Sequence, residues 1–271
     1  MLGALSGETR LVGIVGNPVS HSLSPRMQNA AFAALGLDWA YVPLAVEAEA
    51  LPRAIAGLVS LGFAGANVTI PHKTAVLRLC DEVDRVAARA ASVNTLVVSN
   101  GRVHGSSTDG QAVTGAVETE GADVLVLGAG GAAQAVAAAL LDAGARSLTV
   151  ASRRREGAEA LVAHLRGAFA AAELSCAGWP PEGARATLLV NATPLREELV
   201  LAPLARQQVV DLAYRADGGE TALVSAARAA GCETVVDGLE VLVRQGAASF
   251  RRWTGLEAPV EVMRSAVRAV G

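Results

Sequence analysis

Short apolar runs and stretches with helical spacing take turns along this chain. Leu11–Val15 is an apolar run that ends in Gly16-Asn17-Pro18, the signature of a buried strand running into a turn. Ser24-Pro25 reads as a serine cap with proline at the first helical position, opening a helix that runs to Leu35 and stops at Gly36. A strand over Ala40–Val46, a helix to about Leu61 and a strand over Ala66–Ile70, ended by Pro71, continue the rhythm. Helical segments follow to about Ala91. Asn94–Val98 and Val103–Ser106 then flank Asn100-Gly101, the dipeptide favoured in two-residue hairpins.

The alternation restarts at Val124: strand to Leu127, helix Ala132–Leu141, strand Ser147–Ala151, helix Glu156–Leu165, and strands at Thr187–Asn191, Val209–Leu212 and Thr234–Val236. Strands alternating with helices predict parallel sheets and right-handed crossovers, an α/β fold. The helices at Leu239–Trp253 and Pro259–Val270 have no strand after them and are expected to pack back on the first domain. Two domains follow, residues 1–108 with 239–271, and residues 109–238. Val124–Leu141 is nearly membrane-like in hydropathy, but its glycine-rich centre and alanine-rich second half fit a buried strand and small-residue helix better than a span.

Composition narrows the function classes. The 271 residues are 52% hydrophobic and 3% aromatic with 28 glycines, as in a globular α/β protein. A formal charge of −3 without a basic stripe gives no field for a nucleic-acid backbone, so none is expected as partner, nor is a membrane. Cys80, Cys176 and Cys232 are distant, odd in number and without C-x-x-C spacing; they read as buried thiols of a cytoplasmic protein. The first ten residues lack the pattern of a signal peptide. No histidine has partners at metal-ligand spacing, so no metal is expected.

Only one residue is a lysine, Lys73, although Lys plus Arg number 23. Arginine cannot give up its proton in a protein, whereas an ammonium is a compact donor with a tunable pKa. A lone lysine in Asn67-Val-Thr-Ile-Pro-His-Lys73 therefore reads as a chemical group, or as the residue of a codon bias. His72 beside it projects elsewhere if the segment is helical and is not taken as a base.

Gly128-Ala129-Gly130-Gly131-Ala132-Ala133 matches G-x-G-x-x-A between a predicted strand and a predicted helix. The glycines allow a tight turn and close backbone approach, and the helix N-terminus offers amides to a pyrophosphate. An NAD site would end its second strand in Asp or Glu for the ribose hydroxyl. Here the strand ends in Ser152-Arg153-Arg154-Arg155. Guanidiniums suit a 2′-phosphate and a carboxylate would repel it, so NADP is the expected cofactor, held mostly by Arg153 and next by Arg154.

Ser22-Leu-Ser24-Pro, Asn67-Val-Thr-Ile-Pro-His-Lys73, Ser92-Val-Asn94-Thr, Thr108-Asp109-Gly, the glycine motif, Asn191-Ala-Thr193-Pro, Tyr214, Gly238-Leu, Gln245 and Trp253-Thr-Gly together resemble the shikimate dehydrogenase family in order and spacing. The resemblance spans nearly the whole chain. It implies NADP-dependent, reversible reduction of 3-dehydroshikimate to shikimate in aromatic amino-acid biosynthesis, by a substrate-binding domain and a Rossmann domain facing across a cleft. It puts Ser22 and Ser24 on the substrate carboxylate, and Thr69, Asn94, Asp109 and Gln245 on ring hydroxyls. Lys73 and Asp109 become the catalytic pair, also touching substrate, and Thr193 and Gly238 join the cofactor residues. Tyr214 reaches the carboxylate or is an ordinary strand-end aromatic. Ser24, Asn94 and Asp109 could equally serve as cap, turn and cap. The chain departs from the family pattern at Glu240-Val241 after Gly238-Leu239, and at Arg215-Ala216 after Tyr214. Rival readings are a quinate/shikimate dehydrogenase of broader substrate or NAD use, and a noncatalytic NADP-binding regulator. The state of assembly, with a homodimer among the options, is not legible.

Overall fold

The apolar run after Thr9 forms β1 (Arg10–Gly16), whose last five residues are all buried because the strand has neighbours on both sides. The computed structural model describes residues 5–181 and 186–269. The expected helix end at Val270 and the first four residues of the N-terminal reading lie outside them. After β1 come α1 (Ser24–Ala34), β2 (Trp39–Ala45), α2 (Leu51–Ser60), β3 (Gly65–Val68), β4 (Glu82–Val83), α3 (Arg85–Ala90), β5 (Thr95–Ser99) and β6 (Arg102–Ser106).

These strands form one sheet in the order β2-β1-β3-β5-β6-β4. β1 pairs in parallel with β2 and β3, but β5 runs antiparallel to both β3 and β6. The expectation of parallel sheets is therefore corrected to a mixed sheet in this part of the chain. The Asn100-Gly101 turn, whose residues have φ 52° and 73°, folds β5 back on β6 as the expected hairpin. A second correction concerns α1. Ser24 is its first helical residue, Leu23 takes the cap position with helical backbone angles, and no side chain caps the helix. The Ser22 hydroxyl instead accepts the Ser24 N–H at 3.3 Å. Between Lys73 and Ala91 the expected helical segments are a 3-10 turn at Ala75–Leu79 and α3, with β4 between them; α3 is capped by Asp84, whose carboxylate accepts the Ala87 N–H at 2.7 Å.

The second sheet is built from β7 (Asp123–Leu127), β8 (Ser147–Ala151), β9 (Glu173–Ala177), β10 (Leu188–Asn191), β11 (Gln208–Asp211) and β12 (Thr234–Val236). All its pairings are parallel, in the order β12-β11-β10-β7-β8-β9. This is the doubly wound dinucleotide-binding order, which reverses direction between β7 and β10. The accompanying helices are α4 (Asp109–Thr114), α5 (Gly131–Asp142), α6 (Arg155–Ala168) and α7 (Ala222–Ala229). α5 is buried at Ala133 and from Ala135 to Leu141, so it is apolar on every face. That burial explains the membrane-like hydropathy of Val124–Leu141, which the structure divides into β7, a glycine turn and α5. Among the described residues no helix is long and apolar enough to cross a membrane.

The chain divides into two compact units, residues up to Thr108 with those from Leu242 on, and Asp109–Val241. Within the first, α8 (Gly238–Thr254, from Leu242 on) and α9 (Val260–Arg268) return to the N-terminal elements. Phe250 stacks on Phe32 with ring centroids 5.3 Å apart, and the Trp253 indole donates to the Leu96 carbonyl at 2.9 Å. Gly246 lets α8 approach Met27, and the Gln28 amide donates to the Gly246 carbonyl at 2.9 Å.

Gly65 admits Trp253 to the sheet: a Cβ there would strike the Leu96 carbonyl and lie 2.5 Å from the indole nitrogen. Gly65→Ala should therefore cost about 3 kcal/mol, in the range of overpacked cores. Urea unfolding reads this directly; an unmoved midpoint would mean that α8 yields at no cost.

Candidate functional site

In the first unit, strand directions gather the chemistry at one sheet edge. β1 and β3 end there, β5 begins there, and β6, antiparallel to β5, ends there; Asn67 pairs with Thr95 and Thr95 with Ser106. Gly16 at the end of β1 passes so close to Thr69 that a Cβ would strike its methyl. The Thr69 N–H donates to the Val15 carbonyl at 2.9 Å, and the Val93 N–H to the Lys73 carbonyl at 2.9 Å, which puts Lys73 beside the start of β5. Thr69 and Lys73 are half-buried and Asn94 is buried. His72 is buried with Nε2 2.7 Å from the Val46 carbonyl. A carbonyl can only accept, so Nε2 carries the proton and the ring is tied to that loop.

Behind the edge lies a buried polar network that sequence reasoning missed. The Tyr41 hydroxyl donates to Asn67 Oδ1 at 2.9 Å, and Asn67 Nδ2 faces the Asn94 carbonyl at 3.1 Å and the Ser249 hydroxyl at 2.9 Å. Thr95 joins Ser249 at 2.8 Å, and Ser249 donates to the Gln245 carbonyl at 3.0 Å. Asn94 Oδ1 accepts the Thr108 N–H at 2.8 Å and the Thr108 hydroxyl at 3.2 Å, while Nδ2 donates to Thr108 Oγ1 at 2.9 Å. With its oxygen saturated, Asn94 can meet a ligand only as a donor. Gln245 is buried and its amide donates to the Leu242 carbonyl at 3.0 Å, one turn back. Ser22 is half-buried and Ser24 buried at the start of α1. The only hint of this network in the sequence was Asn67 inside an apolar strand.

In the second unit every strand is parallel, so all C-terminal ends share one edge. The reversal between β7 and β10 opens a crevice there. Gly128 has φ 111°, and a Cβ on it would lie 2.9 Å from the Ala192 carbonyl and 3.3 Å from the Thr193 methyl. Only glycine fits that approach. Gly130 occupies the cap position of α5 in extended conformation with no side-chain cap, and a Cβ there would meet nothing within 4 Å. Residues Gly128–Ala132 thus form a helix N-terminus of small residues with no side-chain cap from Gly130, a shape suited to a phosphate. At the end of β8, Ser152 is half-buried and Arg153 and Arg154 are exposed, while Arg155 bonds Glu159 at 2.8 Å within α6. Asp109, 7% exposed, begins α4, which packs on α5 through Gly110: a Cβ there would lie 2.7 Å from the Ala135 carbonyl.

Three chain segments match models of known families: residues 14–96 the shikimate dehydrogenase substrate binding domain, 111–177 shikimate / quinate 5-dehydrogenase, and 238–268 the shikimate 5'-dehydrogenase C-terminal domain. A shikimate dehydrogenase (NADP(+)) of Anaeromyxobacter sp. (strain Fw109-5) is 45% identical over 281 residues, covering 98% of this chain and 99% of that one. The chain belongs to the shikimate dehydrogenase family. Among solved structures, shikimate 5-dehydrogenase from Thermus thermophilus in complex with NADP(H) and shikimate is 35% identical with a TM-score of 0.82, over 97% of this chain and all of that one. The quinate dehydrogenase from Corynebacterium glutamicum in complex with NAD is 31% identical with a TM-score of 0.82, over 95% and 98%.

Where the chain departs from the family pattern, the structure supplies a local reason. After the half-buried Tyr214, Arg215 grips Asp217 through Nε at 3.0 Å and Nη2 at 2.6 Å and pairs with Glu197, tying two crevice loops together. The guanidinium holds the Asp217 carboxyl down at about 2. Gly238 lies under the Ala213 carbonyl, where any Cβ would collide, and Asp237 caps α8 by accepting the Glu240 N–H at 2.8 Å. Val241 is buried.

The expectation of buried thiols is corrected: Cys176 on the edge strand β9 is exposed, and Cys80 and Cys232 are half-buried, with burial pushing Cys80 up to about 11. Asp211 is fully buried at the end of β11, and burial raises its carboxyl to about 6 against the pull of its hydrogen bonds to Thr221, Ala213 and Asn191. Between pH 4 and 6 the folded chain therefore binds more protons here than the unfolded one, so this carboxyl's contribution to stability is fullest below pH 4 and falls as pH rises through 6. Relative to Asp211→Asn, the parent should lose about 3 kcal/mol of stability over that window, one pH unit being worth about 1.4 kcal/mol. Denaturant titrations of both proteins from pH 4 to 8 check this; a constant difference would contradict it.

Proposed function

We propose that this protein catalyses the reversible NADPH-dependent reduction of 3-dehydroshikimate to shikimate in the cytoplasm. The observation that carries the cofactor choice is the end of β8, where Arg153 and Arg154 stand exposed and no carboxylate is present. The Anaeromyxobacter relative, named for NADP(+), supports the same reading. The pyrophosphate is assigned to Gly128–Ala132, the 2′-phosphate to Ser152, Arg153 and Arg154, and the nicotinamide end to Thr193 and Gly238. NADPH supplies the hydride when bound.

Ser22 and Ser24 at the start of α1 are assigned to the substrate carboxylate, with Tyr214 as a further contact. Thr69, Asn94, Asp109 and Gln245 are assigned to the ring hydroxyls, Asn94 through its amide nitrogen. A site that bonds each hydroxyl rejects an analogue lacking one, because its own buried groups are left unpaired. Lys73 and Asp109 are the proposed catalytic side chains. As the ketone gains hydride, its oxygen becomes negative; the Lys73 ammonium offsets that charge and delivers the proton. Asp109 serves as the carboxylate that passes a proton from solvent to the neutral amine, which returns Lys73 to its ammonium form.

A quinate dehydrogenase activity is the second reading, favoured by the likeness to the NAD-bound Corynebacterium enzyme. Steady-state rates with shikimate and quinate, each with NADP+ and NAD+, decide between them: turnover confined to shikimate with NADP+ is expected, and comparable quinate or NAD+ rates would overturn it. Lys73→Ala should lower kcat by about a thousandfold while the KM for shikimate changes little, the pattern of a group acting in the transition state. Lys73→Arg should keep the charge and still lose most turnover, and near-normal turnover would remove Lys73 from the mechanism. Arg153→Ala should weaken NADP+ by about tenfold, the worth of one charge-assisted bond pair, with NAD+ unaffected.

A further inference from the structure

We infer that Asp211 is a positioning residue for cofactor binding, setting the shape of both crevice walls through its hydrogen bonds to Asn191 and Ala213. The inference rests on the assignment of the second unit's crevice to NADP. Asp211 is completely buried, so it cannot touch a ligand itself. Its Oδ1 accepts the Asn191 amide at 2.8 Å and the Ala213 N–H at 2.9 Å, and its Oδ2 accepts the Thr221 hydroxyl at 2.5 Å.

A carboxamide has the same outline either way round, so only its partners decide which end faces where. By taking the Asn191 nitrogen, Asp211 turns Oδ1 toward Thr193, where it accepts the N–H at 3.0 Å and the hydroxyl at 2.6 Å. The Thr193 hydroxyl in turn accepts the Leu195 N–H at 3.3 Å. This turn is the wall that presses the Ala192 carbonyl and the Thr193 methyl against Gly128. The Ala213 bond works on the other wall, holding the residue before Tyr214 whose carbonyl closes over Gly238.

Three donors converge on one side chain, and only an acceptor at both oxygens satisfies them. Asparagine would turn an NH2 group toward at least one. A buried carboxylate is a costly way to fill space, and an apolar residue would pack the same volume at less cost. The arrangement is understood if the gain lies in the geometry of the walls.

The test compares NADP+ affinity, measured by equilibrium binding and by KM, with the KM for shikimate and the melting temperature. In Asp211→Asn, NADP+ should bind about tenfold more weakly, the loss of roughly one charged hydrogen bond, while the KM for shikimate stays within about twofold. The exchange N191D/D211N restores acceptor and donor in reversed order and should regain part of the lost affinity. T221V, which removes a bond remote from the crevice walls, should lower the melting temperature without changing NADP+ affinity. Undiminished NADP+ affinity in D211N, or affinity that falls in T221V as far as in D211N, would overturn the inference and leave Asp211 a stabilising residue only. If D211N does not fold, N191A reads the same link from its other end, expecting the same selective loss and overturned by its absence. A parent protein that binds no NADP+ would instead overturn the cofactor assignment beneath it.

Discussion

A carboxamide buried beneath a strand end must find every hydrogen bond locally, and the working edge of each unit depends on that demand. In the first unit Asn67 and Asn94 hold β3, β5 and the segment through Thr108 in one register, with Tyr41, Thr95 and Ser249 completing their partners. In the second, Asn191 does the same for the turn after β10, with Asp211 as its fixed acceptor. Left unpaired, any of these groups would cost about 1–3 kcal/mol, which makes the alternative arrangements of the edge unfavourable. The side chains assigned above to ligands, such as Thr69 and Lys73, can then stay half-buried without being loose.

Strand direction does the rest. The second sheet concentrates chemistry because parallel strands send all their C-terminal ends to one side. The first achieves the same with mixed directions, because the hairpin returns the chain to the edge it left. Glycine appears where backbones must almost touch: Gly16 beside Thr69, Gly128 beside Ala192, Gly238 beneath Ala213. Each of these close approaches lies at a strand end or helix start that forms the edge, so the glycines shape the sites more than they loosen them.

Much of this was legible in the sequence. Strands such as Val124–Leu127 announce themselves by apolar runs stopped by glycine, and Asn100-Gly101 marks the hairpin by its turn chemistry. What escaped had no pattern to carry it. β9 is an edge strand in which only Leu174 is buried, so its alternation is too weak to read. α7 is a short alanine-rich helix whose main signal is the Thr221 cap. Ser24 reads as a cap because serine before proline usually is one, but the backbone at Leu23 already turns helical. Asp211 was invisible for a deeper reason. A carboxylate at the end of an apolar strand looks like the start of a loop, and its three partners at 191, 213 and 221 come together only in the folded sheet.

The first unit is made of two stretches of chain, with the second unit's whole sequence between them. On a ribosome the consequence is an inversion of order. Residues up to Thr108 emerge first but lack Gly246, Phe250 and Trp253, the groups that cover Met27, Phe32 and Leu96. The sequence from Asp109 to Val241 emerges later yet arrives complete. The unit begun first is therefore the one finished last, and until its final helices leave the tunnel its core keeps an apolar face uncovered, the condition under which nascent chains call on chaperones.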